Sequence, residues 1–216
     1  EIKWNELKES CKKICKNEED RNLINRAFFL AKEAHQGVRR RSGEPYFLHP
    51  IAVAQIVVDE IGLGVKSVVA ALLHDVVEDT DYTVEDIENL FNPKIAQIVD
   101  GLTKISGGIF GDRASAQAEN FKKLLLTMND DIRVILIKIA DRLHNMRTLA
   151  AQRPEKQRKI AAETQYIYAP MAHRLGLFPI KTELENLSFK YEFPEKYAEI
   201  EAKLRANKDT QMDGFE

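Results

Sequence analysis

Cysteine is scarce in this sequence: only Cys11 and Cys15 occur in 216 residues. They lie one helical turn apart, and two such thiols can build neither a disulfide framework nor a zinc ribbon. We therefore interpret both cysteines, together with the single tryptophan, Trp4, as packing residues.

Long hydrophobic runs are also absent, because charged residues interrupt each apolar stretch. No basic and apolar leader with a small-residue cleavage site opens the sequence either. This pattern predicts neither a membrane-spanning helix nor a signal peptide, and a cytoplasmic location is the expectation.

The sequence also lacks a large excess of charge of either sign, since it contains 32 Lys and Arg and 34 Asp and Glu, for a formal net charge of −2. Such a balance gives no overall attraction to nucleic acid or to an anionic membrane, and we expect direct binding to neither. Any anion site must be local, and the Arg39-Arg40-Arg41 cluster is the obvious candidate.

Apolar residues recur at helical spacing almost throughout, with no convincing strand. The sequence therefore predicts an all-α fold, in one domain. The predicted helices are one that ends at Gly37 and others over 51–61, 65–77, 83–91, 93–102, 115–128, 131–149, 155–169, 180–190 and 194–205. A glycine-rich stretch, 106–113, lacks the Gly-Lys-Ser/Thr ending of a phosphate-binding loop and is read as a connector, or as a lid over substrate.

Polar side chains crowd the end of the apolar helix predicted over 65–77. In that continuous helix His74 and Glu78 would share one face, and Asp75 and Asp79 the adjacent face. Ionisable groups at such a place cost several kcal/mol each unless something binds or pairs them. A bound metal ion is the simplest partner.

A second apolar helix presents Asp141 in the same manner, and His49 follows the arginine cluster. Together with His74 and Asp75 these residues would form a mixed imidazole and carboxylate site, which suits Mn, Fe or Zn and indicates a metallohydrolase. The alternative is a buried salt-bridge network in which Arg142 and Arg147 pair the acids.

The remaining acids and histidines are assigned lesser roles. Glu78 and Asp79 lie one turn beyond the predicted ligands, near enough to exchange protons with a metal-bound water; as the alternative, they are solvated surface acids. His144 is expected to support the site through hydrogen bonds rather than as a ligand. His35 and His173 are read as structural.

Several motifs, in order along the chain, resemble the histidine-aspartate (HD) hydrolase domain of the Rel/SpoT family of (p)ppGpp synthetase/hydrolases. The resemblance covers about residues 20 to 205. The segments that carry it are His35-Gln36-Gly37, Arg40-Arg41-Ser42-Gly43-Glu44-Pro45-Tyr46, His49-Pro50, His74-Asp75-Val76-Val77-Glu78-Asp79-Thr80, Asp100 to Lys104, Gln117 to Phe121, Ala140 to Thr148 and Tyr168 to Gly176.

The resemblance implies a multi-helix HD fold and a functional residue set. Its expected metal is Mn²⁺, held by His49, His74, Asp75 and Asp141, with Glu78 and Asp79 as the catalytic acids. The guanosine nucleotide would be bound by Arg40, Arg41, Ser42, Asn145 and Thr148. Family members often carry lysine at the position of Arg41, and the arginine keeps the positive charge there.

The implied reaction is hydrolysis of the 3′-pyrophosphate of ppGpp or pppGpp to GDP or GTP and pyrophosphate, which ends the stringent response. The domain boundaries expected are an amino-terminal helix over 1–20, the hydrolase over 21–205, and over 206–216 the start of a linker. A synthetase and regulatory domains would follow in a longer protein, and only those would meet the ribosome; loop 106–114 is the expected switch between domains. Two alternatives stay open, a non-catalytic (p)ppGpp-binding regulatory domain and a phosphohydrolase for another nucleotide such as NADPH.

Overall fold

The computed structural model describes residues 1–106 and 131–212, and the described chain is helical without a strand. The predicted all-α class is confirmed. The expected helix over 115–128, the glycine-rich stretch beyond its first residue, and most of the expected switch loop lie outside the described residues. Contacts divide the chain into two compact units, Glu1–Asn145 and Met146–Glu216.

The first unit contains α1 to α7 and most of α8. Their bounds are α1 Ile2–Cys11, α2 Glu18–Ala34, α3 Leu48–Ile56, α4 Val65–Leu73, α5 Val76–Asp79, α6 Val84–Leu90, α7 Pro93–Ser106 and α8 Ile132–Arg147. A wide π-helical turn, Val57–Ile61, extends α3 to Gly62, whose φ of 82° is the left-handed conformation that glycine adopts readily.

Helix α4 is the centre of the first unit, as its apolar composition predicts. All residues from Ser67 to Leu73 are buried, and α2, α3 and α7 pack against this helix. Burial of each large aliphatic side chain stabilises the fold by about 1.5–3 kcal/mol. The polar end of α4 is therefore fixed to a rigid support.

The continuous helix predicted over 65–77 is wrong, because α4 ends at Leu73 and α5 begins at Val76. The His74 ring explains the interruption. Its Nδ1 lies 2.6 Å from the carbonyl oxygen of Ala71, the oxygen that the amide of Asp75 would use in an unbroken helix. His74 and Asp75 thus form a turn, and Asp75 caps the start of α5, where its carbonyl oxygen accepts a hydrogen bond from the Asp79 amide at 2.9 Å.

In the second unit, the other helices pack around α11. Its elements are a short 3-10 helix Leu149–Ala151, α9 Pro154–Glu163, a π-helical turn Thr164–Tyr168, α10 Ala169–Arg174, α11 Phe178–Glu192 and α12 Pro194–Met212. The predicted helix end before Pro170 is wrong. The wide turn precedes α10 directly, so Pro170 falls in the first turn of α10, where its missing amide hydrogen costs little.

No helix within 1–106 and 131–212 has both the length and the apolar character that crossing a membrane requires. The two cysteines are unpaired, with Cys11 buried in the first unit. Trp4 stacks on Phe28 at 3.9 Å between ring centroids, which fits its interpretation as a packing residue.

Candidate metal centre

Three buried side chains from separate helices converge in the first unit: His49, His74 and Asp141. His49 lies in the first turn of α3, His74 in the turn after α4, and Asp141 in the middle of α8. One potential ligand atom from each residue lies within 4.8 Å of the other two. The apolar packing of these helices therefore holds three donor atoms at one point.

The shortest distances in the cluster join imidazole nitrogens to carboxylate oxygens. His49 Nε2 lies 3.1 Å from Asp141 Oδ1, and His74 Nε2 lies 3.9 Å from the same oxygen. Asp75 Oδ2 lies 2.9 Å from His74 Nε2 and 3.8 Å from His49 Nε2. Two rings and two carboxylates thus face a common space.

The orientation of His74 fits a metal ligand. Since the Ala71 carbonyl can only accept, Nδ1 of His74 carries the proton of that hydrogen bond. Nε2 is buried, makes no hydrogen bond of good geometry to the described residues, and points at the oxygen of Asp75. A lone pair facing a carboxylate is repulsive, so a cation must stand between them, either a proton or a metal ion.

When no metal ion is bound, a proton on His74 is the cation that faces Asp75. Burial opposes a charged His74, but the charge and proximity of Asp75 outweigh it and raise the pKa of His74 to about 9. Burial likewise opposes a charged Asp75, yet His74 holds the pKa of Asp75 well below its usual range. A divalent ion would displace this proton, as is usual when histidine binds a metal.

His49 differs from His74, because burial dominates and lowers the pKa of His49. A neutral imidazole is the form that ligates metals. Its Nδ1 lies 2.7 Å from Nδ1 of His144, which places one proton between the two rings. If His49 donates that proton, its Nε2 keeps a lone pair that can bind a metal ion. The hydrogen bond to His144 would then orient the His49 ring.

Tyr46 supports Asp75, the second acid of the cluster. Its hydroxyl donates to Asp75 Oδ2 at 2.6 Å, while its ring packs edge-on against His49 at 5.9 Å between centroids. Burial, followed by the charge of Asp75, raises the pKa of Tyr46 well above its usual value. Tyr46 therefore stays a hydrogen-bond donor over the whole physiological range.

Lys138 and Asn145 fix Asp141 on α8. Lys138 Nζ lies 3.1 Å from Asp141 Oδ2, and the Asn145 amide donates to Asp141 Oδ1 at 2.8 Å. Although burial opposes the charged form, Lys138 and the two site histidines keep the pKa of Asp141 well below its usual range. Of the two arginines in the salt-bridge alternative, Arg142 is buried in α8, and Arg147 forms an ion pair with Glu183, 2.7 Å apart, within the second unit.

Arg40 is the arginine of the triple cluster that enters the site. Its guanidinium donates to the Asn145 side chain at 2.9 Å and lies 3.1 Å from His144 Nδ1. The backbone of the 39–45 loop positions it, since the amide of Arg40 bonds to Glu44 and Gly43 turns with a φ of 88°. Arg41 and Ser42 are exposed in the same loop.

Other predicted residues lie at the margin. Glu78 and Asp79 are exposed in α5, and Asp79 Oδ2 lies 3.4 Å from Nε2 of the buried His35. Thr148 is half-buried in the second unit, just before the 3-10 helix. The structure therefore brings His49, His74, Asp75, Asp141, Arg40 and Asn145 together, and it adds Tyr46, Lys138 and His35, which the sequence patterns did not assign to the site.

A family model described as an HD domain matches residues 27–178. The chain belongs to the HD-domain family. The match spans α3, α4 and α8, the helices that carry the histidines and the aspartate. The metal-binding chemistry of its donor set and the family assignment thus agree.

The HD domain is also similar to proteins of (p)ppGpp metabolism. It is 51% identical over 183 residues to the bifunctional (p)ppGpp synthase/hydrolase SpoT of Escherichia coli K12, covering 85% of this chain and 26% of that protein. It is 53% identical over 180 residues to a probable guanosine-3′,5′-bis(diphosphate) 3′-pyrophosphohydrolase of a Synechocystis species, covering 83% and 24%. The chain spans about a quarter of the length of these relatives.

A solved structure has the same fold. It belongs to a metazoan ortholog of SpoT described as hydrolysing ppGpp, and it superimposes with a TM-score of 0.55 at 24% identity. The superposition covers 84% of this chain and 94% of that one. The predicted HD fold is therefore confirmed.

Proposed function

We propose that this HD domain hydrolyses the 3′-pyrophosphate of ppGpp or pppGpp, giving GDP or GTP and pyrophosphate. The observation that carries the proposal is the buried cluster of His49, His74 and Asp141. Relatives about half identical over most of the chain are named for this reaction.

We propose Mn²⁺ as the ion, with His49, His74, Asp75 and Asp141 as its ligands. Two imidazoles and two carboxylates form a donor set that Mn, Fe and Zn accept. When bound, the ion would supply Lewis-acid chemistry, lowering the pKa of water and offsetting the charge of the phosphates. The buried Nε2 of His74, which faces a carboxylate, supports a cation at this point.

We propose that Arg40, Arg41, Ser42, Asn145 and Thr148 bind the nucleotide. Arg40 supports this assignment best, because its guanidinium is largely buried yet permanently charged. Such a group binds phosphate through two parallel hydrogen bonds. Its contacts with Asn145 and His144 fix the guanidinium at the edge of the cluster.

The two acids of α5 would manage protons during the reaction. Water attacks the phosphorus attached to ribose O3′, and the bond between that phosphorus and O3′ breaks. The water loses one proton to a carboxylate, and O3′ gains one, so the proton count balances. Glu78 and Asp79 are exposed at the rim of the site, where an incoming substrate and solvent both reach them.

We further propose that the protein acts in the cytoplasm beside synthetase and regulatory domains of a longer chain. Two unpaired cysteines suit a reducing compartment. The relatives are more than three times as long as this chain, and that of Escherichia coli K12 is named for both synthesis and hydrolysis.

The test is a substrate panel with Mn²⁺, comparing ppGpp, pppGpp, GTP and NADPH and resolving the products. We expect pyrophosphate from the first two alone. A His74→Ala variant should lose this activity, and a His173→Ala variant of the second unit should keep it. Phosphate release from NADPH would favour the other-nucleotide alternative, and tight ppGpp binding without turnover would favour the regulatory one.

A further inference from the structure

His35 is a buried histidine that the proposed mechanism does not use. Only 2% of its surface is exposed. It caps the carboxyl end of α2, where its Nδ1 lies 2.9 Å from the carbonyl oxygen of Ala31. Because a carbonyl only accepts, Nδ1 carries a proton and the ring cannot turn over without losing this bond.

The other ring nitrogen of His35 points at the site. Nε2 is buried and makes no hydrogen bond of good geometry to the described residues. Its one ion-pair partner in the described part of the chain is Asp79, whose Oδ2 lies 3.4 Å away. With Nδ1 already protonated, a neutral ring would aim a lone pair at this carboxylate. A proton between the two groups removes that repulsion.

The surroundings of His35 favour this proton. Burial opposes a charged ring, but Asp79, the Ala31 carbonyl and the more distant charge of Asp75 outweigh it, and the pKa of His35 is raised. The carboxyl end of α2 also favours a cation. Tyr46 stacks on the ring at 4.7 Å between centroids; the charged residues lining the adjacent groove are Lys32, Glu33 and Arg39.

We propose that His35 is a positioning residue that holds Asp79 through a shared proton on Nε2. Asp79 is the exposed member, with 47% of its side chain accessible, so without a fixed partner it would sample several rotamers. The imidazole is fixed by Ala31 and Tyr46 and would select the one rotamer that faces the site. The inference rests on the role proposed above for Asp79.

The first test measures the pair without activity. The ¹⁵N and ¹H signals of His35 are followed against pH in the chain loaded with Zn²⁺, which is diamagnetic and replaces Mn²⁺. We expect both ring nitrogens to be protonated at neutral pH and the pKa of His35 to fall in an Asp79→Asn variant. An unchanged His35 titration in that variant would overturn the proposal, whatever the substrate of the domain.

The second test separates positioning from packing. His35→Phe keeps a ring on Tyr46 but removes the Nε2 donor, and we expect kcat for ppGpp to fall about 10- to 100-fold with KM little changed. His35→Gln keeps an amide donor at similar reach and should restore most of the loss. His173→Phe, the same change in the second unit, should have no effect.

A double-mutant cycle decides whether His35 acts through Asp79. In an Asp79→Asn background, His35→Phe should cause no further loss of kcat. Independent, multiplicative losses would contradict the proposal, as would full activity in His35→Phe. If the unaltered chain does not hydrolyse ppGpp, the proposed function fails, and the titration of His35 still decides whether the pair exists.

Discussion

Replacing Tyr46 with phenylalanine should weaken metal binding while leaving the fold intact. The change removes one hydroxyl, which donates to Asp75 Oδ2 at 2.6 Å. The ring contacts with His35 and His49 need no hydroxyl and should persist. The variant therefore isolates one hydrogen bond to one proposed ligand.

The size of the effect follows from that hydrogen bond. A bond to a charged acceptor contributes about 1.5–3 kcal/mol, and each 1.4 kcal/mol is about tenfold in affinity. If the bond orients Asp75 towards the ion, its loss should lower Mn²⁺ affinity by about 10- to 100-fold, which is typical for residues that support a ligand.

Isothermal titration of Mn²⁺ into the purified chain measures this difference directly. Tyr166→Phe is the matched control, because Tyr166 is 66% exposed in the second unit and should bind as the unaltered chain does. Thermal unfolding of both variants checks the fold. Equal Mn²⁺ affinity in Tyr46→Phe and in the control would refute the claim that this hydrogen bond orients Asp75 towards the ion.

Three further variants test the proton-transfer role of Glu78, the packing of α7 on α8 and the ion pair of Asp131. Glu78→Gln should abolish ppGpp turnover and keep Mn²⁺ bound, and full turnover in that variant would remove Glu78 from the chemistry. Gly101→Ala would put a Cβ 2.8 Å from Val134 Cγ2; urea unfolding should show a loss of about 1–3 kcal/mol, and equal stability would show that the helices can separate. The pKa of Asp131 is lowered chiefly by its hydrogen bond from Arg133, so Asp131→Asn should destabilise the fold at pH 7. A carboxyl group with a lowered pKa in the folded protein stabilises the fold at pH values above its unfolded pKa of about 3.9, and this stabilisation is lost as the pH falls through the folded pKa. The stability deficit of Asp131→Asn should therefore shrink in strong acid. A deficit independent of pH would contradict the ion pair.

Sequence patterns predicted the main features of the site for identifiable reasons. An apolar helix that ends in His74 and Asp75 must place those groups beside the core, and Asp141 in α8 presents the same conflict. The structure brings these side chains together with His49. Their ligand roles stay predictions until an ion is measured.

Other features depend on contacts that no local pattern encodes. Arg40 meets His144 and Asn145 across more than a hundred positions, and His35 at the end of α2 meets Asp79 of α5, far from it in the sequence. The break after α4 comes from a side-chain hydrogen bond of His74, which competes with the helix backbone and leaves the apolar periodicity unchanged. Periodicity therefore predicted the helices but not the break between α4 and α5.

The decisive experiment is turnover of ppGpp in isotopically labelled water with Mn²⁺, with the His74→Ala variant measured alongside. We expect GDP and pyrophosphate from the unaltered chain, with the labelled oxygen in the pyrophosphate, and no product from His74→Ala. Label in the ribose hydroxyl of GDP would place the attack on the wrong atom. Equal turnover in His74→Ala would contradict the claim that this buried cluster is the active site.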